Sequence, residues 1–193
     1  VAAGEAAESA GAASEPTVTS SVQENAVAAL ANLAADPAAR DELVQTNGIR
    51  PLTRLLIAEG HQTKRYAATA LARLSKDHEA TQSVIAESGA ISPLVALLGG
   101  TEGAEAQEAA AGAILALAET AANRQIITDA GGIGYLVSML GCNHPIAREH
   151  AEGALVRLSI EPANRVHIIK KLVDMLQDPG AGGQEQAAAA LAN

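Results

Sequence analysis

An apolar anchor recurs along this chain in the same surroundings: Leu30, Leu71, Ile114, Leu155 and Leu191, separated by 41, 43, 41 and 36 residues. Four residues before the anchors stand Ala26, Ala67, Ala110, Ala151 and Ala187. One residue before them stand Ala29, Ala70, Ala113, Ala154 and Ala190. Three after come Leu33, Leu74, Leu117 and Leu158. Positions −4, 0 and +3 form one helical stripe, and self-similarity at this period is the signature of a stacked array whose units cannot bury their apolar faces alone.

Two further blocks repeat between the anchors. LTRLL at 52–56, LVALL at 94–98, LVSML at 136–140 and LVDML at 172–176 each open a short apolar segment. Leu43, Val84, Ile127 and Ile168 fall 13 residues after their anchors. Gly48, Gly89 and Gly132 fall 18 after, and read as left-handed helix ends. Each unit is therefore predicted to hold two short helices and a longer Ala-rich one. The core must be aliphatic, because the chain has no Phe or Trp and two Tyr, Tyr66 and Tyr135. The fold class that follows is all-α.

SVQENAVAALANLAADPAARDELVQTNGIRPLTRLL and its counterparts resemble the armadillo repeat, from an Ala-rich third helix ending in ALxNL to a glycine and an I-x-x-L-V-x-L-L helix. The resemblance covers about residues 18 to 193. It implies a right-handed alpha-alpha superhelix of about four repeats with incomplete ends, whose third helices line a concave groove for peptides or partner proteins. The array is placed at 16–193, with units at 16–47, 48–89, 90–132, 133–169 and an incomplete 170–193. Residues 1–15 read as a flexible or weakly helical leader.

The family's ligand-clamping asparagine column reads Asn32, Arg73, Ala116, Arg157 and Asn193 here. The column four residues earlier, a tryptophan shelf in importin-alpha-like members, reads Ala28, Thr69, Gly112, Gly153 and Ala189. Gly112 and Gly153 are closer to the GAL pattern of catenin-like and vacuolar armadillo proteins, where small residues let helices or ligands approach. The column seven residues earlier adds Asn25, Tyr66, Ala109, His150 and Gln186. On this resemblance the groove residues are Asn25, Asn32, Tyr66, Arg73, His150, Arg157 and Asn193.

Arg73 and Arg157 would put two positive charges into the groove of a protein of net charge −9, which suits a partner carrying carboxylates. Alternatively both are solvated or paired with nearby Glu. The net charge has the wrong sign for neutralising phosphates, so nucleic acid is not the expected partner. One cysteine, Cys142, allows no internal disulfide, and no apolar run reaches the roughly 18 residues of a membrane span.

No constellation of residues suggests chemistry. Cys142, His144 and His150 lack the paired spacing of zinc sites. The glycine runs at 99–103, 131–134 and 180–183 do not continue into a phosphate-binding motif. No catalytic residue, cofactor or metal is expected. The leading expectation is a cytoplasmic protein-interaction scaffold, a fragment of a larger protein. The alternative is a structural or assembly subunit using its convex face or its open ends, where self-association is expected.

One unit breaks the pattern. Asn123 to Leu136 spans 13 residues but Asn164 to Leu172 only 8, and the turn glycine is missing. This loss is expected to fuse two helices around RVHIIKKLVDML.

Overall fold

A computed structural model describes residues 18–178 and 183–192, with side chains from residue 21 onward. The leader 1–15, Gly180 to Gly182 of the last glycine run, and Asn193 lie outside the described residues. Within them the chain is all helical. The long Ala-rich helices are α1 (Val18–Leu33), α4 (His61–Ser75), α7 (Ala104–Leu117), α10 (Pro145–Leu158) and α12 (Gln184–Ala192). Between them lie the short pairs α2 (Pro37–Gln45) with α3 (Ile49–Leu55), α5 (Glu79–Glu87) with α6 (Ile91–Leu98), and α8 (Ala121–Asp129) with α9 (Gly132–Met139). A single helix, α11 (Pro162–Gln177), takes the place of the last pair.

The boundaries follow local chemistry. Asp36 caps α2 by accepting from the Ala39 N–H at 2.9 Å, with Pro37 at the first helical position. Pro145 and Pro162 likewise stand at the first helical positions of α10 and α11, without a side-chain cap. Between α5 and α6 the chain bends by 87° at Gly89, whose φ is +80°. No such residue stands between Asn164 and Leu172, so α11 runs through as 16 helical residues, the fusion expected from the shortened spacing.

The glycine column needs correction. Only Gly89 has the left-handed geometry expected of it; in the neighbouring units that geometry falls one residue earlier, at Asn47 (φ +58°) and Gly131 (φ +80°). Gly48 and Gly132 are glycines for lack of space. A Cβ on Gly48 would stand 3.1 Å from the Leu43 carbonyl oxygen, and one on Gly132 2.8 Å from that of Ile127. The period of the turn is thus one residue shorter from the anchor in those two units.

Successive long helices pack on one another, α1 on α4, α4 on α7 and α7 on α10, while α6 packs on α7, α8 and α9. The Ala column explains how closely they can meet: Ala67, Ala110 and Ala151 are fully buried. The anchors Leu71 and Ile114 are also fully buried, and each such side chain contributes roughly 1.5–3 kcal/mol on transfer from water. Among the described residues no helix is long and apolar enough to cross a membrane.

Ion pairs join the units at their edges. Lys64 at the start of α4 donates to Glu102 Oε1 at 2.7 Å, just before α7, and this contact holds the Glu102 carboxyl below its ordinary range. A lowered carboxylate pKa means that the pair stabilises the fold above the ordinary value of 4.5 and loses that contribution as pH falls through the folded value. Lys64→Ala should return the Glu102 titration, followed by carboxyl NMR, toward the ordinary value; an unmoved titration would show that Lys64 is not the cause.

Candidate peptide-binding groove

The column pattern of α4, α7 and α10 places one face of each helix side by side, and two adjoining clefts open along it. The first, of about 380 Å³, runs from Arg73 and Lys76 on α4 and its C-terminal end, across Gly112, Leu115 and Ala116 on α7, to His150 and Arg157 on α10. The second, of about 560 Å³, lies toward the helix starts and includes Arg65, Glu105, Glu108, His144 and His150. The floor is open because the middle helix carries Gly112 and Ala116 where its neighbours carry Thr69 and Arg73 or Gly153 and Arg157.

The small residues also set the distance between helices. A Cβ on Gly153 would stand 3.0 Å from Leu115 Cδ1, and one on Gly112 would stand 3.2 Å from His150 Cε1. At both positions the glycine makes room for a side chain of the adjacent long helix. Gly112→Val should therefore push the His150 ring out of the cleft, a displacement that the His150 NMR shifts would report.

The expected groove residues do not form one surface. Arg73, His150 and Arg157 line the first cleft together. Asn25 and Asn32 are exposed on α1, outside both clefts. Asn32 still takes part in the column, because its Oδ1 accepts from Arg73 Nη1 at 3.2 Å, while the same nitrogen donates to the Ala31 carbonyl at 2.5 Å. Tyr66 is half-buried against the core and carries the Arg65 guanidinium 4.3 Å above its ring, so it lines neither cleft. Asn193 lies outside the described residues.

The two arginines repeat one device. Arg157 Nη1 donates to the Leu115 carbonyl at 2.6 Å, reaching back 42 residues as Arg73 does to Ala31. Each guanidinium thus reaches back to the preceding long helix. They differ in charge balance. Arg157 Nη2 lies 3.1 Å from Glu119 Oε1, whereas no carboxylate of the described residues lies within 4 Å of Arg73. Lys76, one turn beyond Arg73 in the same cleft, is exposed and also forms no ion pair among the described residues.

Toward the helix starts, acidic side chains stand beside the groove's other basic ones. Arg65 pairs with Glu105 at 2.7 Å, and His144 Nδ1 lies 3.1 Å from Glu108 Oε2. His150 Nδ1 is 3.4 Å from the Glu108 carbonyl. Cys142 Sγ is 3.5 Å from the His144 carbonyl, and among the described residues no three His, Cys, Asp or Glu side chains converge on a point where a metal could sit. Glu119 and Lys76, two of the charged residues that line the first cleft, share a column five residues after the anchors. Reading that column beside the asparagine column would have found them.

Residues 77–118 match the family model of the armadillo/beta-catenin-like repeat. An engineered protein of known crystal structure is similar at 29% identity and a TM-score of 0.76, over 91% of this chain and 74% of its own. Computationally designed armadillo repeat proteins for modular peptide recognition are similar at 26% identity and a TM-score of 0.76, over 89% of this chain and 75% of theirs. The armadillo repeats only protein of Plasmodium falciparum shares the fold at 21% identity and a TM-score of 0.74, over 97% of this chain and 85% of its own. No curated protein matches the sequence. With the family's repeat in residues 77–118 and the described units stacked as in these structures, the chain is an armadillo-repeat solenoid.

Proposed function

We propose that the chain is a non-catalytic interaction scaffold that binds an extended polypeptide segment along the α4–α7–α10 groove, with a ligand carboxylate engaging Arg73 and Lys76. The observation that carries this reading is the first cleft itself: an open floor of Gly112 and Ala116 beside two cations that have no carboxylate of the described residues within 4 Å, with Asp77 lining the same cleft next to Lys76. Arg73 is already oriented by the Ala31 carbonyl, so a ligand need not order it from scratch, which lowers the entropic cost of binding. Designed proteins of this fold, similar at 26% identity, are made for modular peptide recognition, which supports a peptide as the ligand class.

The test is affinity capture from extract with the intact chain beside an Arg73→Glu/Lys76→Glu variant shown by circular dichroism to be folded. The captured partner should bind the variant at least about tenfold more weakly, which corresponds to ~1.4 kcal/mol. Equal capture would remove the groove as the binding surface.

The assembly reading has one observation in its favour. Val156, Ile160, Val166 and Ile169 are each at least half exposed on α10, its end and α11. If that surface is the working one, sedimentation should show association that the Arg73→Glu/Lys76→Glu variant leaves unchanged.

A further inference from the structure

We infer that Glu119 is a built-in competitor for Arg157, so that the groove holds one open cationic anchor, at Arg73 and Lys76, and one masked anchor, at Arg157. The inference rests on the groove reading above and deepens it by assigning which acidic positions of a ligand are read.

The geometry of Glu119 is that of a bound carboxylate ligand. It follows the end of α7, with Oε1 3.1 Å from Arg157 Nη2 on α10 and Oε2 accepting from Gln82 Nε2 on α5 at 2.8 Å. Gln82 is 1% exposed and its amide is itself fixed, because the same nitrogen donates to the Ser75 carbonyl at 2.9 Å. A buried amide anchored in the preceding unit therefore holds the carboxylate against the arginine of the following one. Arg157 is held from its other side by the Leu115 carbonyl at 2.6 Å, so the pair meets in the cleft with both partners positioned. At the equivalent place on α4 stands Lys76 instead of an acid, and Arg73 is left open.

The mask can be displaced. Side chains of Arg157 and Glu119 keep 35% and 33% of their surface exposed, and pairs this exposed are weak and salt-sensitive. A ligand with a single acidic residue is thus read at Arg73 and Lys76. A ligand with a second one further along can exchange for Glu119 at Arg157, leaving Glu119 hydrogen-bonded to Gln82. Glu149 on α10 and Asp77 line the same cleft with no ion-pair partner among the described residues, and Glu149 disfavours acidic residues outside these two places.

The experiment is a double-mutant cycle with fluorescein-labelled hexaglutamate as the probe, read by anisotropy at low salt. Arg157→Ala should change the Kd by less than about twofold in the otherwise unaltered chain, and by about fivefold in the Glu119→Gln background, whose own affinity should rise about threefold. Glu149→Gln removes a groove charge without unmasking an arginine. It should leave the Arg157→Ala effect below twofold. Should Glu119→Gln not fold, Glu119→Ala serves in its place. An Arg157→Ala effect equal in both backgrounds, or no gain of affinity on removing Glu119, overturns the inference. Loss of binding in Arg73→Glu/Lys76→Glu alongside that result would leave the groove reading standing, whereas binding indifferent to Arg73 and Lys76 would overturn the groove reading itself.

Discussion

Leu117→Ala should lower the unfolding free energy by about 2–5 kcal/mol, while Leu33→Ala, at the same position of the repeat, should cost less than about 1 kcal/mol. Leu117 is fully buried between α7 and its neighbours, so truncation removes transfer energy and leaves a cavity that the fixed helix spacing cannot close. Leu33 is 55% exposed at the end of α1 and has little contact to lose. Urea unfolding of both variants, followed by far-UV circular dichroism, gives the comparison directly. Equal losses would mean that α1 buries Leu33 in solution. The larger effect should also be felt beyond one unit, because α7 packs on both α4 and α10, and stacked arrays gain stability from their neighbour interfaces.

That contrast marks how far a repeat can be read. The Ala and Leu columns at −4, 0 and +3 were legible because they serve one physical need, a close-packed seam between helices, at every interior unit. The same columns do not tell Leu33 from Leu117, since burial depends on what lies on either side and not on the unit itself. The fused helix α11 was legible too, because five missing residues and a missing turn glycine leave no place for an 87° bend like that at Gly89. The turn residues were only partly legible. Gly48 and Gly132 fell in the expected column but serve close packing, and the left-handed residues are Asn47 and Gly131. In the groove, the column carrying Arg73 and Arg157 brought two residues of one cleft together. It did not show that one arginine is neutralised across 38 residues by Glu119 while the other is open, because such pairing depends on the neighbouring unit's side chain. Tyr66 was misleading for the same reason: it shares a column with His150, yet packs into the core with Arg65 over its ring.

Arg124 carries the other large effect; it stands ten residues after its anchor, a place taken by Arg40 and Arg165 in two other units. Its side chain enters the junction between the end of α7 and the start of α11, 7% exposed as a residue. Nη1 donates to the carbonyls of Ala118 and Glu119 at 3.2 and 2.9 Å, two acceptors that the end of α7 leaves without helical partners, and Nε donates to Glu161 Oε1 at 3.0 Å. A positive charge at a helix C-terminus is favoured by the aligned peptide dipoles, and hydrogen bonds from a charged donor are worth about 1.5–3 kcal/mol. Arg124→Ala should therefore cost about 2–4 kcal/mol by urea unfolding, because two carbonyls and a partly buried space are left unfilled. Arg124→Lys should recover less than half of the loss, since one ammonium cannot reach both carbonyls and Glu161 in the planar geometry of the guanidinium. Glu161→Gln should cost under about 1 kcal/mol, because its side chain is 39% exposed and water replaces the lost pairing. If Arg124→Lys proved as stable as the unaltered chain, the charge alone would account for the site and the two carbonyl contacts would contribute nothing. The carbonyl of Glu119 is one of those contacts, so Arg124 also fixes the end of α7 from which the Glu119 side chain reaches Arg157. Its loss should loosen that pair and bring Arg157→Ala to matter for acidic ligands, as it is expected to in Glu119→Gln.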